Sequence, residues 1–418
     1  MGGGQSKIED ISRFLESLAE FYRIRAWFQE GEENFTRAAQ RLAEVQGEVR
    51  DCRSKMALGK VLMQQGRFCH SLGLVEKATD LLHESLSMFR DLGARREVVY
   101  ALNYLEYCVG LRGGDGQPLL QEALTISKGI GDQRGVALSL WGLGWAATDQ
   151  GEYGAAKHLF QESLALFRQF GNQEGIVQSL NGLGYIAWVL GDYGEAKQLY
   201  QESLARSREV GDQRGIASAL KNLAQVIAKL EEYREAKQLY QESLALHKEI
   251  GNLRGIADVF SDLGEIANVQ GEYAEAIQLA QECLTIGRKI DERWIIAWAF
   301  KVQGDAACGL GDLSGARRYH HQALAELTRT GQLSIIPLNL VGIAALLAAE
   351  GEKERALGLL ALVLHHPASW QWAKDRAAPL VAELEAELAP DVVAAAQERG
   401  QARDLEATVA ELLVELRE

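Results

Sequence analysis

An all-α solenoid of stacked antiparallel helix pairs is the fold class this sequence predicts, and three observations predict it. The decapeptide AKQLYQESLA stands at 196–205 and again, unchanged, at 236–245. Worn copies keep the same 40-residue frame: AKHLFQESLA from Ala156, AIQLAQECLT from Ala276, ARRYHHQALA from Ala316 and ALGLLALVL from Ala356. Turn signals keep step with them. GEYGAA, GDYGEA, EEYREA, GEYAEA, GDLSGA and GEKERA begin at 151, 191, 231, 271, 311 and 351, and GDQRG, GNQEG, GDQRG and GNLRG begin at 131, 171, 211 and 251. A catalytic site rarely needs a duplicated helix, whereas a stacked array needs the same unit again and again. Each period holds two segments of about 16 residues between Gly-rich breaks.

The first segment of a period, GIVQSLNGLGYIAWVL, places Ile176, Val177, Leu180, Leu183, Ile186, Ala187 and Leu190 at helical rather than strand spacing. The second, YGEAKQLYQESLARSREV, puts Ala196, Leu199, Tyr200, Ser203 and Leu204 on one stripe. Small residues recur where the two helices should cross: Gly144, Gly184, Ala224, Gly264, Gly304 and Ala344 in the first helix, Ala156 through Ala356 in the second. A large side chain there would push the pair apart, since packed helix axes lie about 8–10 Å from one another.

Working outward, Leu18-Ala19 with Phe35 and Ala38 reads as an entry unit, and Leu58-Gly59 as the landmark of the next. The stretch YLEYCVGLRGGDGQPLLQEAL reads as a degenerate unit with Glu106 at the close-contact position. The frame disappears after about residue 366, where two or three helices are expected to close the last apolar face. The expected organisation is a flexible leader at 1–7, a degenerate unit at 8–50, the array at 51–330, a second degenerate unit at 331–366 and a helical cap at 367–418.

A linear array adds units without enlarging one core, so 418 residues need not mean two or three globular domains. Only five prolines interrupt the chain, which suits long helices. A formal net charge of −14 argues against a sequence-independent hold on nucleic acid or anionic lipid. No run of 18 apolar residues and no secretory h-region occur, so a cytoplasmic setting is expected. The five cysteines (Cys52, Cys69, Cys108, Cys283, Cys308) are scattered and read as reduced, small core residues. The opening MGGGQSK matches an acylation pattern on Gly2, with a plain flexible leader as the alternative.

The segment SLNGLGYIAWVLGDYGEAKQLYQESLA resembles a tetratricopeptide repeat (TPR), with Leu183-Gly184, Ala196, Tyr200 and Ser203 at the family's Leu-Gly, Ala, aromatic and small positions. The resemblance implies a right-handed superhelix of about nine repeats plus C-terminal capping helices. The period of 40 exceeds the usual 34, and GN or GD turns stand where the family carries a terminal proline. YRIRAWFQEGEENFTRAAQRLA and VVAAAQERGQARDLEATVAELL also resemble the entry and closing parts of the TPR sensors of bacterial signal-transduction (STAND) ATPases. That resemblance implies the inducer-sensing module of a switch whose nucleotide-binding part lies upstream, or a stand-alone relative.

No G-x-x-x-x-G-K-[ST] loop is present, so ATP hydrolysis by this chain is not expected. His320 falls on the inward stripe where other units have Phe160 or Tyr200, which favours a packed structural histidine over a metal ligand. Glu162, Glu202 and Glu242 recur on the solvated side of successive second helices, whereas a general acid and base would need a desolvated cleft. No enzyme, cofactor or metal is therefore expected.

The family's first helices line the concave wall, and its groove positions, counted from the Leu-Gly landmark, carry over residue by residue. They give Arg53 and Lys60, then Tyr100, Asn103 and Tyr107, then Trp141 and Trp145, then Gln178, Asn181, Tyr185 and Trp188. Beyond these stand Lys221 and Gln225, then Asp258 and Glu265, then Trp298 and Lys301. The wall runs from basic through aromatic to acidic, which would orient an extended ligand. Aromatics and amides of this kind suit a peptide backbone or a small inducer. The plain alternative is that Trp145 and Tyr185 pack between neighbouring repeats, in which case the chain is a structural protein–protein adaptor with an empty groove.

Overall fold

A computed structural model describes residues 3–46, 52–111, 116–330, 336–367 and 369–417. Among them are 21 helices and no strand. The helices run as nine successive pairs: α1 (Gly3–Ile24) with α2 (Phe28–Gln46), α3 (Cys52–Ser71) with α4 (Val75–Asp91), α5 (Arg95–Leu111) with α6 (Gln117–Ile130), and α7 (Gln133–Asp149) with α8 (Tyr153–Gln169). There follow α9 (Gln173–Val189) with α10 (Tyr193–Val210), α11 (Gln213–Lys229) with α12 (Tyr233–Glu249), and α13 (Leu253–Val269) with α14 (Tyr273–Lys289). The last pairs are α15 (Arg293–Gly309) with α16 (Leu313–Thr330) and α17 (Ile336–Ala349) with α18 (Lys353–His365). Three further helices close the chain: α19 (Gln371–Glu387), α20 (Pro390–Gln401) and α21 (Leu405–Glu415).

Helix boundaries follow the turn letters. Gly131, Gly171, Gly211 and Gly251 sit at φ between 64° and 71°, the left-handed conformation that ends a helix and that glycine adopts without a Cβ penalty. The next residue often caps the following helix: Asn172 accepts from the Gly175 amide and Asp312 from the Gly315 amide. The frame is strict enough to force other residues into the same conformation. Glu231 (φ 62°) and Asp291 (φ 54°) occupy turn positions where other repeats have glycine.

The small landmark residues seat rings. A Cβ on Gly144 would stand 2.7 Å from Phe160 Cε1, and one on Gly182 would meet the same ring at 2.7 Å. Phe160 is thus wedged between two consecutive first helices, and Tyr200 lies on Gly184 in the same manner. His320 fills this position between Gly304 and Gly342, fully buried, with Nδ1 3.0 Å from Asn339 Oδ1. Burial lowers its pKa, against the pull of Asp305. Serines of the QES motifs tie the pair from inside: Ser163 Oγ donates to the Ala137 carbonyl at 2.8 Å, and Ser203 Oγ to Asn181 Oδ1 at 2.7 Å.

Two compact units divide the chain: unit 1 is Met1–Ile186 with Gln198–Ala219, and unit 2 is Ala187–Lys197 with Leu220–Glu418. In unit 1, helix α1 is already formed from Gly3, inside the stretch expected as a leader at 1–7. Gly2 lies outside the described residues. Cys69, Cys108 and Cys283 are buried as expected of core residues, whereas Cys52 is exposed in the first turn of α3, where the helix faces solvent on that side. No helix of the described residues is long and apolar enough to cross a membrane.

Candidate functional site

Unit 1 contains a cavity of about 300 Å³. Its walls come from parts of the chain far apart in sequence: the end of α1 and start of α2, the inner faces of α3, α5, α7 and α9, and the start of α11. Tyr104, Tyr107 and Trp141 give it an aromatic floor, with the Tyr107 and Trp141 rings 5.3 Å apart. Trp141 is only 7% exposed, and its indole N–H finds no acceptor among the described residues.

Charged groups ring that floor. Arg67 stacks over Tyr104 with its guanidinium carbon 4.3 Å from the ring centroid. Arg214 donates to Ser71 Oγ at 3.2 Å. Arg23, arriving from α1, donates to both carboxylate oxygens of Glu20 on its own helix at 2.6 and 3.0 Å and stands farther, at 3.5 and 3.8 Å, from Glu174 and Asp212. Burial disfavours the charge on Arg23, and Glu174, Glu20 and Asp212 more than offset that cost, so the guanidinium stays protonated. The amides of Gln178 and Asn181 complete the lining. Such a site can grip an aromatic or aliphatic moiety on its floor and polar or charged groups at its rim.

Of the residues expected on the groove, Tyr107, Trp141, Gln178 and Asn181 border this cavity. Others in unit 1 are engaged differently. Asn103 is buried and donates to the Val99 carbonyl and to Ser139 Oγ, a bond between neighbouring first helices. Trp145 packs edge-on against Phe160 at 5.3 Å and lies 5.5 Å from Tyr185, so both rings serve the seam between repeats. Lys60 reaches Glu16 at 2.9 Å, and Tyr100 is half-buried beside Arg96. Arg53 is exposed at the start of α3. Arg23, Arg67 and Arg214 were absent from the expected lining because Arg23 and Arg214 lie at helix ends and Arg67 is one turn beyond the counted positions. Their meeting depends on how the unit curls, which a repeat frame does not encode.

In unit 2 the expected groove positions meet the chain's own closing helix. Trp188 contacts Trp370 and Trp372 at 5.6 and 5.8 Å between ring centroids, and Trp298 contacts Trp372 at 5.5 Å. Lys301, 4% exposed, binds Glu265 at 2.5 Å and Asp305 at 2.9 Å, and Arg376 of α19 binds the same carboxylates at 2.7 and 3.3 Å. Lys221 pairs with Asp258 at 3.5 Å, and Gln225 donates to both carboxylate oxygens of Asp262. Burial pushes Asp262 up to about 7, a rise that Lys221 and Gln225 only partly oppose. No group of three metal-capable side chains occurs among the described residues.

Two tetratricopeptide repeat family models match the chain, over residues 175–249 and 256–290. No curated protein matches it. Among solved structures, a Rap protein complexed with competence and sporulation factor is similar over 90% of this chain and all of its own (13% identity, TM-score 0.59). The apo quorum sensor NprR from B. thuringiensis is similar over 78% of this chain and 94% of its own (14% identity, TM-score 0.51). A signal transduction ATPase with numerous domains and a tetratricopeptide repeat sensor, from Pyrococcus horikoshii, is similar over 93% of this chain (14% identity, TM-score 0.51). The chain spans only 55% of that protein's length. At these identities the likeness is one of fold. With the 40-residue frame, the ring-on-glycine seams and the matched segments taken together, the chain has an all-α fold of stacked tetratricopeptide-type helix pairs, carries matched tetratricopeptide repeats at 175–249 and 256–290, and resembles in fold the sensor-bearing signal-transduction protein.

Proposed function

We propose that the chain is a non-catalytic recognition scaffold that captures a peptide segment or small inducer on the inner face of unit 1, as the sensing module of a STAND-type switch. The observation that carries this reading is the cavity itself. An aromatic floor of Tyr104, Tyr107 and Trp141 lies below the amides of Gln178 and Asn181 and the guanidinium groups of Arg23, Arg67 and Arg214. Asn103 is consumed by a seam between repeats, whereas Arg23, bonded to Glu20, and Asn181, which accepts from Ser203, still present part of their side chains to the cavity. The structure of a Rap protein with a signalling factor bound, and the presence of a TPR sensor in the P. horikoshii protein, support the same class of role.

The test is selection of a random hexapeptide library on the immobilised chain, followed by titration of enriched sequences. Arg67→Ala and Gln178→Ala are the variants of choice, because both residues border the cavity while retaining solvent access. The expected result is an affinity loss of about tenfold or more, on the order of 1.4 kcal/mol, with an unchanged melting curve. Enriched peptides that bind both variants as tightly as the parent would refute the site and leave the adaptor reading, in which outer surfaces grip a partner.

A further inference from the structure

The closing helix α19 does more than cover the end of the array in unit 2. Its backbone runs beside α17 and α18, but it meets α13 and α15 through long side chains. Arg376 donates to Glu265 Oε2 at 2.7 Å and to Asp305 Oδ2 at 3.3 Å. Those two carboxylates stand 40 residues apart, at the same position of successive first helices. One helical turn earlier, Trp372 inserts beside Trp188 and Trp298, and the Lys229 ammonium lies 3.4 Å over its ring centroid. A cavity of about 380 Å³ remains beside the contact.

This seat differs in kind from the seams of the repeats. There, rings press on glycine with no room left; here, ions and an open-sided cavity lie at the contact. A permanent contact gains little from buried ion pairs, because apolar groups of the same shape serve as well without the desolvation cost. Without Arg376, Glu265 and Asp305 would keep Lys301, with His320 3.7 Å from Asp305 and Lys229 close to Glu265, but would lose the one cation that reaches both from outside the repeats. A helix seated there is therefore favoured when it supplies a cation, and an aromatic one turn before it fits between the tryptophans.

We propose that the inner face of unit 2 is a docking groove for an amphipathic helix bearing an aromatic residue followed four positions later by arginine, and that α19 holds it in cis until such a partner helix displaces it. Charge complementarity to Glu265 and Asp305 selects the partner, and a helix with glutamate at the second position is rejected.

The test uses the full-length chain and a fluorescein-labelled synthetic peptide spanning residues 369–388. Opening the latch with Trp372→Ala or, separately, Arg376→Gln should raise the affinity for the peptide about tenfold over the parent chain. The same peptide carrying R376E should not bind. Hydrogen exchange on the unmodified chain should show α19 amides exchanging about tenfold faster than those of α13 and α15, since a displaceable helix opens without global unfolding. Peptide affinity equal for parent and folded variants, or exchange of α19 in step with α13 and α15, would overturn the proposal. Loss of the folded state in both variants would do so too, by making α19 an obligatory part of the core.

Discussion

Units 1 and 2 use one device with opposite results. Each brings an arginine from an end of the chain onto the inner face of its repeats, toward two carboxylates on different helices. In unit 1, Arg23 spends its short bonds on Glu20 of its own helix and stands 3.5 and 3.8 Å from Glu174 and Asp212, with a lined cavity of about 300 Å³ beside it. In unit 2, Arg376 closes to 2.7 and 3.3 Å on Glu265 and Asp305 with Lys301 between them, and four tryptophans pack around the contact, with a cavity of about 380 Å³ beside it. The difference teaches that groove chemistry in this fold is decided by which terminal helix crosses it and how tightly its cation is matched.

The largest expected effect tests that asymmetry directly. Lys301→Ala should destabilise the chain by about 3–5 kcal/mol, because it strands buried carboxylates, whereas Arg23→Ala, whose partner Glu20 keeps access to solvent, should cost about 1–2 kcal/mol. Denaturant midpoints at constant slope would show it, and equal losses would break the comparison.

Next comes pH. Asp262 in unit 2 and Glu106 in unit 1 both have carboxyls pushed up to about 7 by burial, with Asp149 adding repulsion at Glu106. The folded state therefore holds a proton that the unfolded chain releases above about pH 4. Each group's penalty is absent below that value, grows as pH rises and is complete above about 7. Asp262→Asn should accordingly stabilise at pH 8, by on the order of 2 kcal/mol after allowance for its partial exposure, and change little at pH 4. A gain that is the same at both pH values would count against a buried neutral acid there.

Smaller still, Asp291→Gly should add about 0.5–1 kcal/mol by relieving a left-handed backbone at a position where other repeats carry glycine. The smallest effect belongs to unit 1's surface: Arg168→Ala removes a solvated pair with Glu202 and should change stability by about 0.5 kcal/mol or less, an effect that vanishes in high salt.

Much of the fold was legible because it repeats. The turn letters at 131 through 351 located the boundaries, the landmark glycines located the ring seats, and His320 was read as a packed ring from its place in the frame. What did not repeat was harder to read. Tyr107, Trp141, Gln178 and Asn181 were found by counting from the landmark, since inner-face positions follow from helix phase. Arg23 and Arg214 were missed because the cavity needs helices nearly 200 residues apart in sequence to meet. The return of α19 was missed for a related reason: an Ala- and Glu-rich helix past the last repeat carries no periodic cue, and its two informative residues, Trp372 and Arg376, gain meaning only opposite Trp298 and Glu265.

The position shared by residues 145, 185, 225, 265 and 305 is occupied by Trp, Tyr, Gln, Glu and Asp. On the side where the last two answer to a single guanidinium, neither can drift alone: a neutral substitution at 305 calls for a compensating one at 376. Lineages of this chain should therefore display correlated substitution between the closing helix and the seventh and eighth pairs, while the cavity of the other unit is free to change one letter at a time and acquire new specificity.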